Sequence, residues 1–150
     1  MQHPITALDG RYENKVSALS EICSEFGLMK YRAKVEVAWL YFLKQENIIT
    51  ADIELPDLKS LVEKFSETDY EAIKKFEATT NHDVKAVEYW LQTHTEKELW
   101  PWIHFACTSE DINNTAYGLM LRDAREVIVD SLDSVAVSYT PLRAHETPIN

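Results

Sequence analysis

At 150 residues the chain is long enough to bury one hydrophobic core and too short for several domains. Hydrophobic residues make up 45% and charged residues 27%, with 3 Gly and 5 Pro, which excludes wholesale disorder and fits a soluble, helix-rich fold. A formal charge of −10 argues against nucleic-acid and anionic-membrane partners, because both bind through clustered Lys and Arg, and no apolar run approaches the ~20 residues that cross a bilayer.

Pro4 to Tyr12 reads as an extended lead-in closed by an Asp9-Gly10 turn. From Tyr12 the spacing of Val16, Leu19, Ile22 and Phe26 predicts a helix, with Gly27 as its stop. A second helix, Leu28 to Gln45, carries Leu28, Tyr31, Val35, Trp39, Phe42 and Leu43 on one stripe, with Lys30, Lys34, Glu36, Lys44 and Glu46 on the wetter side. Asp52 to Pro56 is a linker, and Asp57 to Phe65 a short helix that turns Leu58, Leu61, Val62 and Phe65 inward. Ser66 and Asp69 form a capping pattern ahead of Tyr70, Ile73 and Phe76. Thr79 to Asp83 interrupts that helix, and a further one carries Val84, Val87, Tyr89, Trp90 and Leu91. Trp100 to Ala106 is a buried approach rather than a strand, because Thr108-Ser109-Glu110-Asp111 announces a helix start. That last helix runs from about Glu110 to Leu132, with Ala116, Leu119, Met120, Ala124, Val127 and Ile128 as its stripe. The predicted fold class is all-α.

Cys23 and Cys107 are the two thiols, and no charged leader followed by an apolar stretch opens the chain, so a reduced, cytoplasmic protein is expected. Cys107 reads as a small buried spacer, with a reactive thiol near a helix start as the alternative.

Three polar segments break the periodic pattern, and each would present side chains or free backbone N–H groups to an anion. Arg11 offers a two-pronged contact to phosphate or carboxylate and Tyr12 a hydroxyl and a ring face, although a surface turn arginine explains the pair as well. His82 sits among Asn81, Asp83 and Lys85 at a helix entry, where partners can tune its protonation; a solvated or structural histidine is the competing reading. Thr108 and Ser109 open the long helix, whose first N–H groups and dipole attract anions, while capping alone accounts for one of the two hydroxyls. His104, embedded in aromatic residues, is expected to pack or to support the site. No second histidine stands at helical spacing from His82, so no metal site is expected, and no phosphate loop or Ser-His-Asp set is present.

Taken together, Leu8-Asp9-Gly10-Arg11-Tyr12, the string from Thr79 to Tyr89 (T-T-N-H-D-V-K-A-V-E-Y) and the string from Ile103 to Asn114 (I-H-F-A-C-T-S-E-D-I-N-N) resemble the adenylosuccinate lyase family. The T-S-x-D element by itself is similar to the wider fumarase and aspartase superfamily; the second string narrows the resemblance. It covers about Pro4 to Val129. It implies a helical N-terminal domain over 1–108, the start of a central helical-bundle domain over 109–136, and a tail over 137–150 outside the family pattern, similar to a translated adapter read-through. It also implies a homotetramer with each site built from three subunits, and a cofactor-free β-elimination. That reaction releases fumarate from adenylosuccinate, giving AMP, and from the succinyl-carboxamide ribotide. By motif, Arg11 and Tyr12 would contact the nucleotide, and Asn81, His82 and Asp83 would line the site. Thr108 and Ser109 would bind substrate, Lys85 would take a supporting position, and His82 would assist the general acid.

In that family the general acid is a histidine in a T-H-G-Q stretch and the general base a serine in a mobile S-S-x-M-P-x-K-x-N loop; neither stretch occurs here, and His145 lacks the flanking residues. The chain is therefore expected to be a fragment, inactive by itself. The alternatives are a catalytically dead helical interaction or nucleotide-binding module, and a sister lyase such as one acting on argininosuccinate.

Overall fold

The computed structural model describes residues 5–50 and 52–145; Pro4 of the expected lead-in and residues 146–150 of the expected tail lie outside them. Six α-helices follow in order, α1 Ser17–Cys23, α2 Glu25–Gln45, α3 Leu58–Glu63, α4 Glu67–Thr80, α5 Asp83–Gln92 and α6 Ser109–His145, with 3-10 turns at Glu13–Lys15 and Lys97–Trp102. Among the described residues there is no strand, so the chain is all-α, as its composition and periodicity predict.

The first break falls three residues earlier than expected. Ser24 ends α1 in extended backbone and its hydroxyl accepts from Gly27 N at 3.2 Å, so Ser24 caps α2 and Gly27 lies in its first turn. Gly27 is instead a close-approach residue: a Cβ there would collide with the carbonyl oxygens of Ile22 and Glu21, where α1 folds back against α2. Asp57 caps α3 through Ser60 N, and the Asp69 carboxylate accepts from both the N–H and the hydroxyl of Ser66, which makes the expected capping pattern at α4 real. Asn81, at φ 51°, closes α4 in left-handed backbone, a conformation its short polar side chain tolerates.

α2 is the central post. One flank, Met29, Ala33, Val37, Leu40 and Leu43, packs with Leu58, Val62, Phe65, Ile73, Trp90, Leu91 and Leu99. The other, Tyr31 and Val35, packs with Val84 and with Ile112, Ala116 and Met120 of α6. The face between the two flanks, Lys34, Ala38 and Phe42, is exposed. The expected single stripe is thus half of the contact surface, and Phe42 at its end is exposed. Glu36, expected on the wetter side, is fully buried. Tyr31 Oη donates to Asp123 at 2.6 Å while Val35 meets Ile112, so α2 and α6 run antiparallel. Burial and the Asp123 carboxylate push the Tyr31 hydroxyl up to about 12. α6 continues well past Leu132, through His145.

Candidate functional site

Two of the three polar segments meet on one side chain. Arg32, on α2 and 4% exposed, donates from Nη2 to Asp83 Oδ2 at 2.6 Å and from Nε to Asn113 Oδ1 at 2.9 Å. Asp83 is the first residue of α5 and Asn113 lies one turn beyond Ser109 in α6, so a single guanidinium joins both helix starts. Burial raises the Asp83 carboxyl, but the Val84 N–H and the Arg32 charge outweigh it and leave the group below the ordinary aspartate value.

His82 stands just outside α5, half-exposed, and its Nδ1 accepts from Lys85 N at 3.2 Å. A ring nitrogen that accepts carries no proton, so neutral His82 holds its proton on Nε2, the nitrogen left for a ligand. Asn81 is exposed beside it, and its left-handed backbone turns the chain from α4 into α5. Lys85 Nζ pairs with the buried Glu88 carboxylate at 2.7 Å, which raises the amine above its usual range and gives Lys85 a structural partner.

Beneath this surface His104 Nδ1 lies 2.6 Å from Glu36 Oε1, and its backbone N–H donates to Glu36 Oε2 at 3.1 Å. Glu36 raises the imidazole above its ordinary value although burial opposes it. His104 is therefore a packed histidine, held in left-handed backbone at φ 61° with Ala106 at 57°. Arg32, Glu36, Glu88 and Asn113 went unnoticed in the sequence. The available signal was the i, i+4 spacing of Arg32 and Glu36 among apolar neighbours, which sets two charges on one face of a core helix.

At the start of α6 the Thr108 hydroxyl is engaged within the chain. Asp111 turns back and accepts from Thr108 N at 2.7 Å and from Thr108 Oγ1 at 3.0 Å. Those two bonds hold the Asp111 carboxyl below its usual value. Thr108 is thus an occupied cap, because its carboxylate partner is three residues ahead on the same face. Ser109 is half-buried in the first turn. Cys107 packs against the α2–α6 core and burial pushes its thiol up, which favours the spacer reading over a reactive thiolate. It lines an open cavity of about 720 Å³ between α2 and α6, with Trp39, Phe42, Ile112 and Leu119.

Arg11 and Tyr12 lie elsewhere. Both are exposed, with the guanidinium 5.5 Å from the ring centroid. Lys15 and Val16, just after them, line a groove with Val127, Ser131 and Val135 of α6. From Thr108 to Val127 is about 28 Å along a helix axis, so this segment and the start of α6 do not share a pocket within one chain.

A family model described as Lyase matches residues 10–141. The chain belongs to the lyase family. This match reaches a few residues into the segment expected to lie outside the family pattern. Among curated relatives, the chain is similar to the adenylosuccinate lyase of Haemophilus influenzae, 48% identical over 83% of this chain and 30% of that protein. It is also similar to the adenylosuccinate lyases of Escherichia coli K12, 42% identical over 96% of this chain and 36% of that protein, and of Vibrio cholerae, 46% identical over 83% and 30%. The lyase-family chain thus spans about a third of the length of the curated relatives it matches.

Proposed function

We propose that this lyase-family chain is the N-terminal part of a cytoplasmic adenylosuccinate lyase. The observation that carries the reading is the convergence of the T-N-H-D start of α5 and the T-S-E-D start of α6 on the Arg32 guanidinium. The relatives named adenylosuccinate lyase at 42–48% identity support the choice of substrate within the family. In the reaction a base takes a proton from the carbon beside the C–N bond. That bond breaks with its electron pair leaving on nitrogen, nitrogen gains a proton, and the new C=C appears in fumarate. His82, protonated on Nε2 when neutral, donates a hydrogen bond toward the departing half and assists the acid that protonates nitrogen. Ser109 and the first N–H groups of α6 meet a substrate carboxylate or phosphate, with Thr108 joining once its hydroxyl releases Asp111. Asp83 keeps the start of α5 anchored and charged.

The distance between Arg11–Tyr12 and the start of α6 supports the second part of the proposal, that the complete enzyme is a homotetramer whose sites draw these segments from different subunits. The distal part of α6 supports it as well, since Leu132, Val135, Val137 and Tyr139 are exposed along it, an apolar surface suited to helix partners. No helix among the described residues is long and apolar enough to cross a membrane.

The test uses the full-length enzyme carrying this segment, assayed for fumarate release from adenylosuccinate and from argininosuccinate. Turnover of the first and not the second is expected. Turnover of argininosuccinate alone, or of neither, contradicts the proposal.

A further inference from the structure

We infer that Arg32 is a positioning residue for the proposed elimination, fixing His82 and the start of α6 relative to each other; this rests on the lyase reading above. The geometry is specific to a guanidinium. Nε and Nη2 leave the planar group in different directions and reach Asn113 at 2.9 Å and Asp83 at 2.6 Å, on two helices that are 51 and 81 residues away in sequence. An ammonium presents one point of charge and cannot span both partners at these distances.

Asp83 is the first residue of its helix and Asn113 the fifth of its own, so both lie close to the candidate ligand-binding groups rather than in the packed middle. Asp83 follows His82 directly and also accepts from Val84 N, so its carboxylate ties the first turn of α5 to α2. Asn113 lies one turn after Ser109. The shared side chain is 4% exposed and belongs to the helix that packs in both core clusters, whose apolar flanks hold its backbone in place. A buried ion pair is weak evidence for stability, because well-packed apolar residues often replace one without loss. What apolar residues cannot reproduce is a fixed spacing between two polar helix starts, and small errors in such spacing lower turnover steeply.

The experiment compares full-length wild type with Arg32→Lys and Arg32→Met. It reads kcat and KM for fumarate release and amide hydrogen exchange at residues 83–86 and 109–113. In both variants kcat per folded enzyme is expected to fall at least tenfold while KM moves less, and both first turns are expected to exchange faster together. Arg32→Lys, which keeps the charge, is not expected to rescue. Rescue by Arg32→Lys, a kcat within twofold of wild type, or a fall in kcat with unchanged exchange at either turn overturns the inference. Should both Arg32 variants fail to fold, Asn113→Ala removes one prong only; a severalfold loss of kcat with faster exchange confined to α6 supports the inference, and unchanged kcat overturns it. If wild type itself releases no fumarate, the lyase reading fails, and the exchange measurements still decide whether Arg32 couples the two turns.

Discussion

The region around α2 and the distal half of α6 carry similar densities of apolar residues and bury them differently. α2 is enclosed on both flanks, and even its charged Arg32 and Glu36 are inside. Along α6 the first half buries Ile112, Ala116 and Met120 against α2 and α5, and Ala124 is buried too, while residues 131–140 are all exposed, Leu132 and Val135 among them. A helix draws most of its stability in water from packing rather than from propensity. The difference therefore separates a region that buries its own apolar surface, and holds the starts of α5 and α6, from a segment whose apolar face is left uncovered.

The largest effect in the enclosed region is expected at Glu36. Glu36→Ala strips a fully buried carboxylate from His104 and leaves the imidazole without its counter-charge, so a loss of about 3–5 kcal/mol is expected, read by urea unfolding of the chain. A loss below about 1 kcal/mol would show that the pair is wet and replaceable.

Acidity sharpens the same point. Glu36 raises the folded pKa of His104, so the pair stabilises the fold fully below the ordinary histidine value near 6.5, and this stabilisation is lost as pH rises through the higher folded value. Glu88 and Lys85 act on the same ring with opposite signs. The stability gap between wild type and Glu36→Gln should narrow steadily from pH 6 to pH 9, measured by chemical denaturation. A gap that widens over that range would contradict the assignment.

The smallest effects belong to distal α6. Leu132→Ser should change the stability of the 150-residue chain by less than about 0.5 kcal/mol, because the side chain already faces water. The same substitution in the full-length enzyme should weaken assembly, visible by sedimentation. Deleting residues 138–150 should likewise leave the melting temperature of the chain unchanged within about 2 °C. A clear fall would show that this part of α6 packs.

Local chemistry was legible in the sequence where partners are near in the chain. Ser66 and Asp69 are three residues apart and form their cap as read, and the polar entry at His82 does begin a helix. What escaped were contacts closed by the fold. Arg32 looks like an ordinary surface charge until Asp83 and Asn113 arrive, and Glu36 until His104 does, 68 residues later. At Thr108 the capping part of the reading is what the structure shows: a carboxylate three residues into a helix prefers to turn back on the cap, and Asp111 does so. The end of α6 escaped although Leu132, Val135 and Tyr139 continue from Ile128 at helical spacing, and the backbone stays helical through His145.

The claim at the centre of this account is that His82 serves substrate chemistry rather than the fold. The direct test is His82→Ala in the full-length enzyme, with turnover and thermal stability measured on the same preparation. His82 is half-exposed and its one cap bond to Lys85 N is modest, so the melting temperature should move by no more than about 2–4 °C. Turnover should fall by about 10²-fold or more, the scale expected when a group assisting proton transfer is removed. Near-normal turnover in a well-folded variant would contradict the account and leave His82 as a helix cap.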